Sequence, residues 1–248
     1  MMAEQQTVSV IIPCADQGQY LASAVASLAR QTRPVDEIIV VHPADDGATA
    51  AIARQLADTH QRLKIVSVRE RRPSAARNAG LLAARGDVIG FLDADDIWVQ
   101  TKLATQLAKL AVLPEAAAVG GLLLRCSDID SETLLPIAIQ GEAFVAETLG
   151  ALLCRRAVFD QIGLLDAELH YGEDIEFYMR MRDFGITFLA VCEVVLYYRQ
   201  HPASMMHATT PRKQSDLRLA VLKSIRRRRR LGLAPAKDLV FGDSIERA

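Results

Sequence analysis

The chain has 248 residues, half of them hydrophobic, which is enough for one α/β domain with a sizeable core. Its 29 Lys+Arg stand against 30 Asp+Glu, and a net charge of −1 gives no support to polyanion binding over the whole surface. The four cysteines, Cys14, Cys126, Cys154 and Cys192, form no Cys-x-x-Cys pair, so a zinc or redox motif is not indicated.

Scattered cysteines in apolar runs read as buried thiols and fit a reducing compartment. Residues 1–6 are polar and lack the basic start of a signal peptide, and the apolar run after them is too short for an h-region. No stretch approaches the ~20 apolar residues that span a bilayer. These features predict a cytoplasmic protein that meets a membrane only from its surface.

In chain order, β-branched runs alternate with helical patterns. Residues 8–12 read as a buried strand ended by Pro13, and residues 20–30 as a helix with Leu21, Val25 and Leu28 on one face. Strands are predicted over 37–41, 63–68 and 87–92, with helices over 49–59 and 74–84 between them. That alternation implies parallel strands with crossover helices, and ligands in such sheets bind outside the strands' carboxyl ends. Beyond residue 98 the pattern loosens: a helix over 100–113, a strand over 116–124 and a polar surface excursion over 125–140. A short strand follows over 151–154, then a helix over 174–184 stopped by Gly185. Two strands are predicted over 186–191 and 194–198, and a basic helix over 211–231 leads into a loosely held tail after Gly232.

Three carboxylates, Asp93, Asp95 and Asp96, crowd the end of the strand Val88-Ile89-Gly90-Phe91-Leu92. Their repulsion is relieved by a cation such as Mg²⁺ or Mn²⁺, or the group is a solvated turn that caps the next helix. Glu173-Asp174 opens a helix after Gly172, where a carboxylate is a cap or a general base. Arg77, on the third helix, either reaches phosphate with its planar fork or is an exposed helix arginine. His201, after the last strand, is a metal ligand, a phosphate contact or a loop histidine.

The order and spacing of these blocks carry more than any one of them. Val8-Ser9-Val10-Ile11-Ile12-Pro13 is followed by Glu37-Ile38-Ile39-Val40-Val41, Ala76-Arg77-Asn78-Ala79-Gly80, and Gly86-Asp87 through Asp93-Ala94-Asp95-Asp96. Gly163-Leu164-Leu165-Asp166, Gly172-Glu173-Asp174 and Tyr198-Arg199-Gln200-His201 complete the series. Over residues 7–204 the chain resembles the family 2 glycosyltransferases. The resemblance implies the GT-A fold, a Rossmann-like, mixed and mostly parallel α/β sheet flanked by helices. It divides residues 1–210 into a nucleotide-binding half of about 7–98 and an acceptor half of about 99–210, with 211–248 as basic helix and tail.

By the same resemblance the protein moves a sugar, with inversion, from a nucleotide diphosphate sugar to an acceptor hydroxyl. UDP-sugars are the expected donors; polysaccharides, lipid-linked sugars or proteins are the acceptors. Asp174 matches the catalytic base. Asp93 and Asp95 match the Asp-x-Asp motif that holds donor and metal, with His201 as a further metal candidate. Arg77 and Arg199 match positions near the nucleotide and diphosphate, and Pro13 borders the donor site.

One departure stands out. The family's Asp-Asp-Gly-Ser-Thr-Asp block after the second strand is replaced in place by His42-Pro43, and Asp45-Asp46-Gly47-Ala48-Thr49 looks like the block displaced by three residues. Either the loop is longer or base recognition is altered, and Asp45 and Asp46 are the candidates to read the base. Two rivals are a nucleotidyltransferase, whose glycine-rich loop is missing after the first strand, and a nucleotide-sugar-binding protein without turnover.

The basic helix is a separate signal. Arg212, Lys213, Arg218, Lys223 and the run from Arg226 to Arg230 oppose only Asp216. Such a helix suits an anionic membrane surface or packs on the domain as a solvated helix. Nucleic acid is disfavoured because no aromatic residues interleave with the run.

Overall fold

In a computed structural model, which describes residues 6–201 and 211–236, the apolar runs of the described residues assemble into one nine-stranded sheet. β1 (Val8–Pro13), β2 (Glu37–Pro43), β3 (Leu63–Val68) and β4 (Val88–Phe91) are parallel, in the order β3-β2-β1-β4. The crossovers are α1 (Gly18–Ala29), α2 (Gly47–Thr59) and α3 (Pro73–Ala83).

β1, β2 and β4 are buried along almost their whole length and mostly apolar because helices cover both faces. Val8, Val10 and Ile12 pack with Leu21, Val25 and Leu28 of α1, whereas Ile11 and Ile39 pack with Ala76 and Leu81 of α3. Gly80 brings α3 against β1: a Cβ there would stand 2.3 Å from Ile11 Cγ2, a methyl held stiffly by its branch point. Gly80→Ala is therefore expected to cost about 1–3 kcal/mol. The effect is checked as a lower denaturant midpoint at unchanged slope.

The second half turns the sheet mixed. β8 (Leu153–Arg155) runs antiparallel to β4, and β6 (Ala118–Cys126) antiparallel to β8. β9 (Phe188–Arg199) lies parallel to β6, and the edge strand β5 (Ile97–Trp98) antiparallel to β9.

Several expectations change here. The two strands predicted over 186–198 are one strand, β9, carried across a bulge: Gly120 faces Ala190, but Leu122 faces Val194. The extra residues put Cys192 in solvent, so three cysteines are buried and one is exposed. β5 is too short to show a period in sequence. α4 (Lys102–Val112) matches the predicted helix, but α5 (Arg156–Ile162) was unforeseen; its Val158, Phe159 and Ile162 fill the core.

The excursion over 125–140 is not wholly surface. Bridges Cys126↔Ile139 and Ile129↔Pro136 fold it back, burying Ile129 and Leu134 beside Ile97. β7 (Phe144–Val145) then pairs with β6.

α6 (Glu173–Asp183) carries α7 (Pro211–Arg230) on its outer side. The wholly buried Asp183 carboxylate accepts from Ser224 Oγ at 2.7 Å, Arg227 Nη1 at 2.9 Å and Arg228 Nη1 at 3.1 Å. Arg227 and Arg228, with Lys223 on Asp166, thus fasten the basic helix to the domain by matched charge. Among the described residues no helix is long and apolar enough to cross a membrane. The predicted boundary at 210, the end of the resemblance at 204 and the tail from 237 lie outside the described residues.

Candidate active site

The acidic turn follows β4 because the apolar run ends there and Asp96 N closes a turn on Asp93 O at 3.0 Å. Its carboxylates then separate by environment. Asp93 faces α3, where Arg77 Nη2 reaches its Oδ1 at 2.5 Å. Asp95 Oδ2 is contacted by Gln17 Nε2 and by His201 Nε2, each at 2.9 Å. Asp96 is almost wholly buried, and its Oδ1 accepts the Arg199 N–H at 3.0 Å.

Burial and the neighbouring carboxylates raise the pKa of Asp95, and raise that of Asp96 well above the ordinary value. Crowding and burial therefore disfavour the charged form of these two carboxyls.

Arg77 is buried rather than exposed, and it ties two distant segments together. One arm of its guanidinium pairs with Asp93 and the other with Glu173 at the start of α6. Burial alone would depress its pKa, but Asp93, Glu173 and Asp174 overcome this and hold the cation firmly protonated. Gly172 enables the approach: it takes φ of 72° at the N-cap of α6, a conformation costly for other residues.

The next residue, Asp174, keeps part of its surface open, and its Oδ1 accepts the Ile175 N–H at 2.8 Å. Burial first, and Glu173 second, raise its pKa to about 7. A carboxyl poised there takes up a proton readily at neutral pH.

Arg199, at the end of β9, donates from Nε to the Asp95 carbonyl at 2.9 Å and from Nη1 to Asp128 at 3.0 Å, and it lies over the Tyr20 ring at 4.8 Å from its centroid. Tyr20 also meets the His201 ring at 5.1 Å. Tyr198 lies close enough to Asp93, Asp95, Asp96 and Asp174 that their charges, after burial, raise its phenol pKa. Gln17, Tyr20 and Asp128 were not assigned a role from sequence, and Tyr198 stood in the block Tyr198-Arg199-Gln200-His201 without a role of its own. Only Tyr198 carried a signal, its place at the carboxyl end of a strand.

The displaced acidic pair resolves into two environments. β2 runs on through His42 and Pro43, both buried, so the strand is longer and the acidic pair follows its true end. Asp46 caps α2: its Oδ1 accepts Thr49 N at 3.0 Å and its Oδ2 accepts Asp16 N at 2.8 Å. Asp45 instead is largely exposed and meets Arg71 Nη1 at 2.7 Å, while the other arm of Arg71 holds Asp16 at 2.5 Å. Pro13 ends β1 beside Val41, so loops after β1, β2 and β3 meet at one rim.

The acidic turn after β4, the arginine-bridged carboxylate pair and the partly open carboxyl of Asp174 thus stand together beside the carboxyl ends of the parallel strands. The family profile described as "Glycosyl transferase family 2" matches residues 9–163. The chain belongs to glycosyl transferase family 2.

Among curated relatives, it is 26% identical over 216 residues to the uncharacterized glycosyltransferase EpsJ of Bacillus subtilis (strain 168), covering 80% of this chain and 62% of that one. It is 29% identical over 231 residues to the succinoglycan biosynthesis protein ExoU of Rhizobium meliloti (strain 1021), covering 84% of this chain and 66% of that one. The fold matches that of the mannosyltransferase PcManGT from Pyrobaculum calidifontis, solved with GDP-Man and Mn²⁺, at a TM-score of 0.69 and 24% identity, covering 90% of this chain and 65% of that one. The matched regions thus span just under two thirds of the length of each of these proteins.

Proposed function

We propose that the protein transfers a sugar from a nucleotide diphosphate sugar to an acceptor hydroxyl, with inversion, using Asp174 as general base. The observation that carries this reading is the Arg77 bridge from Asp93 to Glu173, which sets a carboxyl of pKa about 7 beside the acidic turn. A sugar hydroxyl is a poor nucleophile, and Asp174 as carboxylate accepts its proton as the bond to the sugar forms. Attack opposite the leaving group inverts the anomeric centre.

The acidic turn suits a divalent cation. Burial and the Asp93 charge disfavour the charged forms of Asp95 and Asp96, as their raised pKa values indicate, and a cation would relieve this. Among the described residues no three His, Cys, Asp or Glu side chains enclose a metal on their own. The fit is therefore to Mg²⁺ or Mn²⁺ held by one or two carboxylates and completed by donor phosphates. Asp95 would hold the ion with Asp93 assisting, and His201, already on Asp95, is the third candidate. When bound, the ion would neutralise charge growing on the leaving diphosphate. The Mn²⁺ and GDP-Man of PcManGT support the cofactor class and the donor class.

UDP-sugars remain the expected donors from the family resemblance, and the name of ExoU supports a polysaccharide-type acceptor. Of the displaced pair, Asp45 reads the base, because both oxygens of Asp46 are used within the protein. Asp45→Ala is expected to weaken UDP binding by about 1–3 kcal/mol. Asp46→Ala instead costs about 1 kcal/mol of stability through the lost cap. Calorimetric titration and thermal melting separate the two effects; UDP affinity unchanged in Asp45→Ala would place base recognition elsewhere.

The activity is tested by nucleotide release from UDP- and GDP-sugars with Mn²⁺ or Mg²⁺. Release that needs metal and accelerates with acceptor is expected. Tight binding of a donor with no release from any would replace the enzyme with a binding protein.

A further inference from the structure

A second concentration of charge lies behind the cleft, where α7 rests on α6. The two helices and the segment at Asp166 border an open cavity of about 410 Å³ lined by five cations: Arg180, Lys223, Arg226, Arg227 and Arg230. Only two carboxylates line it, Asp166 and Glu176. Both are already engaged, Asp166 by Lys223 and Glu176 by Arg227 at 2.6 Å and by Arg180 Nη2 at 2.9 Å. Arg226 and Arg230 form no ion pair among the described residues. The Arg180 Nε is buried with no hydrogen-bond acceptor.

A buried donor left unpaired is costly, and a ligand oxygen would satisfy it. Guanidinium forks match phosphate oxygens in both shape and charge. The cavity is on the opposite side of α6 from Asp174: Glu176 and Arg180 share one helical face, and Asp174 falls nearly half a turn away.

The surface beside the cavity indicates where such a phosphate comes from. Arg218, Leu222, Ile225 and Arg229 recur at spacings of four, three and four, so they form one outward row on α7. Leu222 is 48% exposed and Ile225 41%, and beyond the helix end Leu231 and Leu233 are exposed as well. From Leu217 to Ala236 the sequence contains no acidic residue. A free phosphate would fill the cavity but leave this apolar row in water. A lipid surface accounts for both, since its acyl region takes the leucines and its phosphates take the arginines.

We infer that the α6–α7 cavity and the outward face of α7 form a docking site for an anionic phospholipid surface, with a headgroup phosphate seated among Arg180, Arg226 and Arg230. Arg227 and Arg228 fasten the helix to α6 and Lys223 ties it to Asp166, while Arg218, Arg226, Arg229 and Arg230, with the exposed apolar row, face the bilayer. This surface is separate from the donor cleft, so it can fail without bearing on the sugar-transfer reading.

Co-sedimentation of the full chain with vesicles tests it. Binding to vesicles containing phosphatidylglycerol, but not to phosphatidylcholine alone, is expected, and it should fall as salt screens the surface charge. Arg226→Glu with Arg230→Glu should lower partitioning at least about 30-fold, from roughly a fivefold loss for each cation removed. Leu222→Ser with Ile225→Ser touches only exposed groups and should also reduce binding while melting as the wild type does. Equal binding to both vesicle types would overturn the proposal, as would wild-type partitioning of the charge-reversed variant. Stabilisation by inorganic phosphate without vesicle binding would overturn it too, and would make the cavity a site for a free anion.

Discussion

Asp174→Asn is expected to lower sugar transfer by roughly 10²–10⁴-fold, the usual loss when a general base is removed. Donor binding should persist, because the carboxyl lies beside the acidic turn rather than in it. Retention of more than about a tenth of wild-type turnover would remove Asp174 from the mechanism. The pH profile supplies an independent check. Only the carboxylate accepts the acceptor's proton, so the rate should rise with pH through about 7. Glu173→Gln removes the second cause of that raised value and should move the limb to lower pH.

Stability should move the opposite way. The folded carboxyl binds its proton more tightly than the unfolded one, whose ordinary value is 3.8. The stabilisation it gives is fully present below pH 3.8 and is lost as pH rises through about 7. Asp174→Asn, which never ionises, should therefore be more stable than the wild type at pH 8 and nearly equal at pH 4. Denaturant titrations at the two pH values measure this, and a variant less stable at pH 8 would mean that the charged form is stabilised by the fold.

The parallel half of the sheet was legible because each strand there is rich in β-branched apolar residues, and each ends at polar residues that the topology sends to one edge. Asp93 and Asp95 were found in this way, from their place after Leu92. Partnership was not legible. Arg77 reads as an exposed helix arginine until α6, 96 residues further on, brings Glu173 against it. The packing of α7 was equally hidden, since its five consecutive arginines give no sign that Arg227 and Arg228 turn inward to Asp183. Asp46 did carry a readable signal: an aspartate three residues before Thr49 is an N-cap pattern, and the helix begins at Gly47 just after it. β5 and the β9 bulge were beyond pattern reading, one because two residues show no period and the other because a bulge breaks the period of two.

Arg77→Met should be the most damaging single change to the fold of the site. It leaves Glu173 buried, Asp93 two-thirds covered and Asp174 next to them, with no cation among the three. Removing one partner of a buried pair typically costs about 3–5 kcal/mol, because the remaining charge has neither water nor a counterion. The Glu173 contact dominates that cost, and the Asp93 contact adds less because water reaches it. The defect should shrink at low pH, where the stranded carboxylates take up protons and become neutral. Arg77→Met with Glu173→Gln should recover much of the lost stability at pH 8, since one of the uncompensated charges is gone. Arg77→Lys keeps the charge but cannot reach both carboxylates with a planar fork, so its stability should fall between the two. Donor turnover should drop in all three variants, because Arg77 sets the spacing between the acidic turn and the start of α6. Denaturant unfolding at pH 5 and pH 8 distinguishes this account: a loss for Arg77→Met of equal size at both values would point to lost packing of the arginine stem instead of stranded charge.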